Sequence, residues 1–203
     1  MPFRFRLWTL LALLSLVSWA TLAPPGAHAQ AQRDSSAVIA GLPFPDKVAG
    51  LVRGPTTTYP QAGYGFSVRY TGGRQSWADV YLYDKALDLT APSKDALKIE
   101  MSAVLREILM VADARGVRND TKVEATTLDG SMASARLRIG SDKAQILSFA
   151  FLTIAHGKFL KIRFSTRDLR TGRKQAETFR DATFKRIQST KPVLQPKRDP
   201  RYI

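Results

Sequence analysis

The chain predicts an α+β fold: one antiparallel sheet of about six to seven strands and two main helices, in the order βββαββββα. Three observations lead there. Most apolar runs alternate with polar residues at the period of a strand. Two stretches, 93–116 and 173–188, change to the period of a helix. Thr71-Gly72-Gly73, Asp129-Gly130, Gly140-Ser141-Asp142 and His156-Gly157 join successive strands too tightly for parallel crossovers, so neighbours in sequence should pair antiparallel.

Taken in order, Leu42-Pro43-Phe44-Pro45 is a stiff extended entry to the domain. The run 48–59 reads as a strand, with Gly50 and Gly54-Pro55 marking a bend or an edge. Phe66, Val68 and Tyr70 share one face of the next strand, and Ser67 and Arg69 share the other. The run 77–84 returns from the turn to complete a hairpin. Leu97, Met101, Val104, Leu105, Ile108 and Ala112 then fall on one side of a helix that Ser93 caps and Gly116 ends, with Leu105 in the middle of that side and Ile99 opposite.

Four strands follow: 122–128, 132–139, 144–155 and 158–165. The third is apolar on both faces and should be central. On the fourth, Leu160, Ile162 and Phe164 face inward while Lys161 and Arg163 face out. A final helix over 173–188 buries Ala176, Phe179, Phe184 and Ile187.

Residues 1–29 read as a secretory signal peptide. Arg4 and Arg6 form a positive start, the run 7–17 is apolar apart from Thr9 and Ser15, and Ala27-His28-Ala29 is a small–x–small cleavage site. Pro24, Pro25 and Gly26 break the helix ahead of that site, and the apolar stretch is short for a bilayer span. Arg4 and Arg6 are not adjacent, so no twin-arginine pair exists, and with no Cys there is no lipid-modified cysteine. The organisation expected is therefore a signal at 1–29, a disordered linker at 30–41, one domain at 42–188 and a basic, proline-bearing disordered tail at 189–203. A periplasmic or secreted protein without a membrane span after cleavage follows, held by packing and not by disulfides.

The element order resembles the PsbP-like fold, shared by the photosystem accessory protein family PsbP and the bacterial envelope lipoproteins of the DcrB kind. The strand Trp77-Ala78-Asp79-Val80-Tyr81-Leu82-Tyr83-Asp84, after Tyr64-Gly65 and Tyr70, resembles a group of uncharacterised exported bacterial proteins. Neither resemblance supplies a catalytic residue.

Positive charge is unevenly placed. Residues 30–157 hold 15 basic and 13 acidic side chains, and residues 158–203 hold 14 basic and 4 acidic. That asymmetry suggests an anionic partner, either an envelope surface or another envelope protein. Nucleic acid is not expected, because aromatics are not interleaved through the Arg-rich segments beyond Phe159 and Phe164.

Several chemistries are excluded within one chain. Zero Cys and two His, one of them His28 in the signal, leave no set of N and S ligands for zinc or most transition metals. No nucleophile elbow, P-loop or dinucleotide fingerprint occurs, so no cofactor is implied. His156 could be a general base, but it precedes Gly157 at a hairpin tip, where His is a tolerated turn residue.

Two candidate sites remain. Trp77, Asp79, Tyr81 and Tyr83 share one face of their strand and could line a ligand groove, although such aromatics also pack across strands as ordinary sheet residues. Arg136 with Arg138, Lys161 with Arg163, and Arg173 with Lys174 could form an anion-binding patch if the sheet gathers them, or could be a solvated outer face. Asp79 and Asp84 face opposite ways, so a paired-carboxylate site is disfavoured. The expectation is a non-enzymatic envelope protein that binds a partner, with a small secreted carboxylate-dependent hydrolase as the alternative.

Protein purified from its native host should begin at Gln30 when its N-terminus is sequenced. Membrane-bound material that still carries Met1 would overturn the signal assignment.

Overall fold

The computed structural model describes residues 36–73, 75–141 and 144–191. The expected signal at 1–29 lies outside them, as does the expected tail except for residues 189–191, of which Ser189 is helical. The fold is α+β, with two helices and two antiparallel sheets among the described residues.

A two-stranded sheet joins β1 (Ser36–Ile39) to β2 (Leu42–Pro45). Residues 36–41 are thus the first strand and the turn of a hairpin and not part of a disordered linker. Ala40 and Gly41 both take positive φ, the backbone twist that a two-residue hairpin turn requires. Leu42 and Phe44 enter the core.

The main sheet holds β3 (Lys47–Val48), β4 (Leu51–Thr58), β5 (Phe66–Gly72), β6 (Ser76–Tyr83), β7 (Thr121–Asp129), β8 (Met132–Ile139), β9 (Ile146–Ala155) and β10 (Lys158–Thr166). Its order is β3-β4-β5-β6-β10-β9-β8-β7, so β6 and β10 join two meanders at the centre. The single strand expected over 48–59 is two, because Ala49 (φ 47°) and Gly50 (φ 83°) reverse the chain between them. Gly54-Pro55 then falls where the register of β4 against β5 shifts, since Pro supplies no ladder donor.

Helix α1 (Lys94–Ala114) follows β6, and α2 (Gly172–Ser189) follows β10. The Ser93 hydroxyl accepts a hydrogen bond from the Ala96 N–H at 3.1 Å, the cap that starts α1. Gly116 takes φ 69° just beyond its end. Gly172 begins α2 against β10, where a Cβ would lie 2.3 Å from Thr166 Cγ2.

The helices cover opposite faces of the sheet. Phe66, Val68, Tyr70, Val80, Leu82, Leu160, Ile162 and Phe164 pack with Ala176, Phe179, Phe184 and Ile187 of α2. On the other face, Ala133, Ala135, Leu137, Ala150 and Leu152 pack with Leu97, Met101, Val104 and Ile108 of α1. Helix α1 rests on β7, β8 and β9. The three alanines beneath it let the helix approach closely. Large side chains on β6 and β10 occupy the rest of that face.

Leu105 is half-buried at the side of α1. Val104, fully buried, takes the middle position that the spacing gave to Leu105. No helix among the described residues is long and apolar enough to cross a membrane.

Ile108→Ala should destabilise by about 2–5 kcal/mol, the usual loss for a buried aliphatic with its cavity. Ile99, 68% exposed on the outer side of α1, should lose less than about 0.5 kcal/mol on the same change. Leu105→Ala should fall between them. Denaturant unfolding of the three variants checks that ranking, and equal losses at Ile108 and Ile99 would contradict the packing of α1.

Candidate functional site

Where α1 stops covering the sheet, a groove of about 660 Å³ opens between the helix and strands β5, β6 and β10. Its floor follows from strand register. Residues opposite each other across a ladder share a face. Thr71, Trp77, Ser165 and Ser148 therefore form one row, Arg69, Asp79, Arg163 and Ala150 a second, and Ser67, Tyr81, Lys161 and Leu152 a third. Helix α1 supplies one wall through Glu107, Ile108, Val111, Ala112 and Arg115, and Tyr59 and Tyr64 stand at another edge.

The row Trp77, Asp79, Tyr81 and Tyr83 read from alternation thus lines one groove, with Lys161 and Arg163 from the expected cationic patch beside it. The sheet merges two candidate sites that the sequence kept apart.

It also divides the patch. Arg136 is opposite Phe149, and Phe149 is opposite Phe164, on the α2 side of the sheet. Lys161 and Arg163 are on the α1 side. Arg136 and Arg138 instead pair with Glu124 of β7 at 3.0 and 2.7 Å. Arg173 and Lys174 lie in the first turn of α2, where Arg173 pairs with Glu177 at 2.9 Å. The six basic residues do not form one surface.

Lys161 and Arg163 do not face bulk water either. The Lys161 side chain is only 11% exposed, with Nζ 4.5 Å from the Tyr81 ring centre and 5.0 Å from that of Tyr83. Its nearest carboxylate, Glu107, is 3.7 Å away and mostly exposed. Burial lowers the Lys161 pKa from the usual lysine value, an effect that the Glu107 charge partly opposes.

Arg163 donates from Nη2 to Ser148 Oγ over 3.4 Å, while its Nε has no hydrogen-bond partner. Among the described residues, no carboxylate lies within ion-pair distance of it. Its cross-strand neighbour Asp79 is taken by Arg69 Nη1 at 2.6 Å. Burial again lowers the affinity of this guanidinium for its proton.

Tyr81 and Tyr83 are held neutral. Burial pushes the Tyr81 pKa up to about 12, with the Asp79 charge adding to it. Tyr83 is raised further by burial and by Glu100, to which its hydroxyl donates at 2.7 Å. Lys85 Nζ donates to the other Glu100 oxygen at 2.7 Å, so a buried carboxylate of α1 ties the helix to the end of β6. At the opposite end, the Arg167 guanidinium stands 5.5 Å over the Trp77 ring.

In all, five cations line the groove, Arg69, Lys85, Arg115, Lys161 and Arg163, against the two carboxylates Asp79 and Glu107. Among the described residues, no group of three or more His, Asp or Glu side chains is gathered to hold a metal ion. His156 has φ 54° in its turn, and its Nε2 lies 2.8 Å from the Ile187 carbonyl near the end of α2, far in role from the groove. Sequence reasoning did not find the α1 wall. Glu107, Val111 and Arg115 lie beside the buried stripe of that helix, and periodicity alone does not say which flank meets open sheet.

No family model matches the chain, and no curated protein matches it. Among solved structures, the chain is similar to the solution structure of cyanobacterial PsbP (CyanoP) from Synechocystis sp. PCC 6803. That likeness covers 83% of this chain and 98% of that one at 15% identity, with a TM-score of 0.44.

Because Lys161 is buried with one distant, exposed counter-ion, Lys161→Met should raise the thermal midpoint at pH 7, by on the order of 1 kcal/mol in stability. The sign with pH is fixed by the lowered lysine pKa. The cost of the buried charge is full below the folded-state value and is relieved as pH climbs through it toward the ordinary 10.5. The advantage of the variant should therefore shrink in alkaline buffer. Melting curves from neutral to alkaline pH test this, and a less stable variant at pH 7 would contradict it.

Proposed function

We propose that the protein is an exported, non-enzymatic binding module whose ligand seat is the groove between α1 and strands β6 and β10. The observation that carries this reading is the pair Lys161 and Arg163 on the groove floor. Buried cations without close carboxylate partners lower stability. A chain retains them where they meet something else, and such perturbed charges gather at functional sites. Aromatic and aliphatic walls around a few convergent polar groups are the ordinary composition of a small-molecule site.

The leader-like anatomy of residues 1–29 supports a periplasmic or secreted location. The excess of basic residues after residue 157 supports an anionic partner there.

A carboxylate-dependent hydrolase receives less support. General acid catalysis needs a carboxyl that keeps its proton near the working pH. Asp79 is bonded to Arg69, and Glu107 is exposed beside Lys161. Asp79 is thus committed to a cation, and Glu107 is mostly exposed, 3.7 Å from Lys161.

The test is binding of the uncharged fluorescent probe phenylnaphthylamine. Its emission should rise saturably with the full chain. Val111, 49% exposed on the groove wall, can be changed to Trp to fill the seat with little strain on the core. Val111→Trp should weaken binding by about tenfold or more, since the apolar lining is then occupied. Unchanged affinity in that variant would place the binding site elsewhere.

A further inference from the structure

The geometry points to a small free organic anion as the ligand of this groove: a flat apolar body along Tyr81, Trp77 and Val111, with one carboxylate, sulfonate or phosphate group seated on Lys161 and Arg163. This inference rests on the groove being a binding seat and specifies what it takes.

Lys161 and Arg163 are two residues apart on β10, so their side chains leave the same face about 6.5 Å apart along the strand. Two cations at that spacing can converge on one anionic group. Among the described residues, neither has a carboxylate closer than 3.7 Å. Arg163 has only the long contact to Ser148, and Lys161 has only the exposed Glu107 at 3.7 Å. Asp79, the carboxylate nearest in register, is bonded to Arg69. A planar guanidinium matches the paired oxygens of a carboxylate or phosphate, and the adjacent ammonium adds a compact charge.

The remaining lining selects the body of the ligand. Tyr81 is held neutral by its burial, so it offers a ring face and a hydroxyl without negative charge. Val111 and Ile108 oppose it from α1. The volume of about 660 Å³ is that of a small-ligand site. Because the cations form the floor and Lys161 is almost covered, a lipid headgroup still embedded in a bilayer does not reach them. A free molecule does.

Calorimetric titration of the full chain with two probes tests this. Anilinonaphthalene sulfonate carries one anionic group on an aromatic body, and phenylnaphthylamine has the same rings without the charge. The sulfonate should bind at least about tenfold more tightly, because a charge-assisted contact replaces a neutral one. Arg163→Gln should remove most of that difference, weakening the sulfonate by about tenfold and the uncharged probe by much less. Among the described residues no carboxylate lies within ion-pair distance of Arg163 to be orphaned, and a melting curve confirms the fold of the variant. Lys161→Met should act in the same direction and provides an independent reading.

Equal affinity for the two probes, or loss of both in Arg163→Gln, would overturn the anion seat while leaving the groove as a binding site. Insensitivity of both probes to Val111→Trp would instead overturn the groove reading itself. Co-sedimentation of the chain with phosphatidylglycerol vesicles that is lost in Arg163→Gln would show that membrane lipid reaches the floor and would overturn the assignment to a free molecule.

Discussion

The position of α1 on its sheet controls everything that distinguishes this molecule. A helix can approach a sheet closely only where the side chains beneath it are small, and Ala133, Ala135 and Ala150 provide that bed on β8 and β9. Beyond it, Trp77, Tyr81, Lys161 and Arg163 stand too tall for the helix to cross. The helix therefore covers β7 to β9, and the Glu100 bridge to Tyr83 and Lys85 fixes its near flank. Large side chains on one half of a face and alanines on the other convert a three-layer fold into one with a lined opening.

The opposite face follows a different rule. There α2 and the small hairpin of β1 and β2 close over the apolar surface of β4, β5, β6, β10 and β9. The larger buried cluster lies on that side, where Tyr70, Phe164 and Phe179 pack edge to face or tilted at 5.2 to 5.9 Å. The side carrying the groove contains instead two largely buried cations, Lys161 beside the Tyr81 and Tyr83 rings and Arg163 on the same strand. Separating these roles lets one face hold charges that would be costly to a core, because the other face supplies the packing.

The sequence made most elements legible and the assembly of their faces less so. Alternation located β5, β6, β8 and β10 to within a residue or two, and the stripe from Leu97 to Ala112 located α1, because local periodicity reports which residues share a side. It does not report which side of one strand matches which side of the next. Arg136 and Arg163 look alike in their strands, yet the register through β9 sends them to opposite faces, and a slip of one residue would have reversed that. The β3–β4 turn escaped for another reason: Ala49 adopts a positive φ that alanine rarely takes, so only Gly50 signalled it. The aromatic row was visible as a face, but its partnership with Lys161 and Arg163 depended on β6 pairing with β10, more than seventy residues away in the chain.

Trp77 gives the groove a spectroscopic handle. The sequence contains three tryptophans, and the other two, Trp8 and Trp19, fall inside the leader-like segment. A chain processed after residue 29 would have a single indole, at the end of the groove where Ser165 and Arg167 meet it. Its emission would then report the polarity and hydration of one place in the molecule. A cation above the indole ring is sensitive to any charge that arrives nearby. The native chain would thus contain its own optical probe, reading occupancy of the groove without a label.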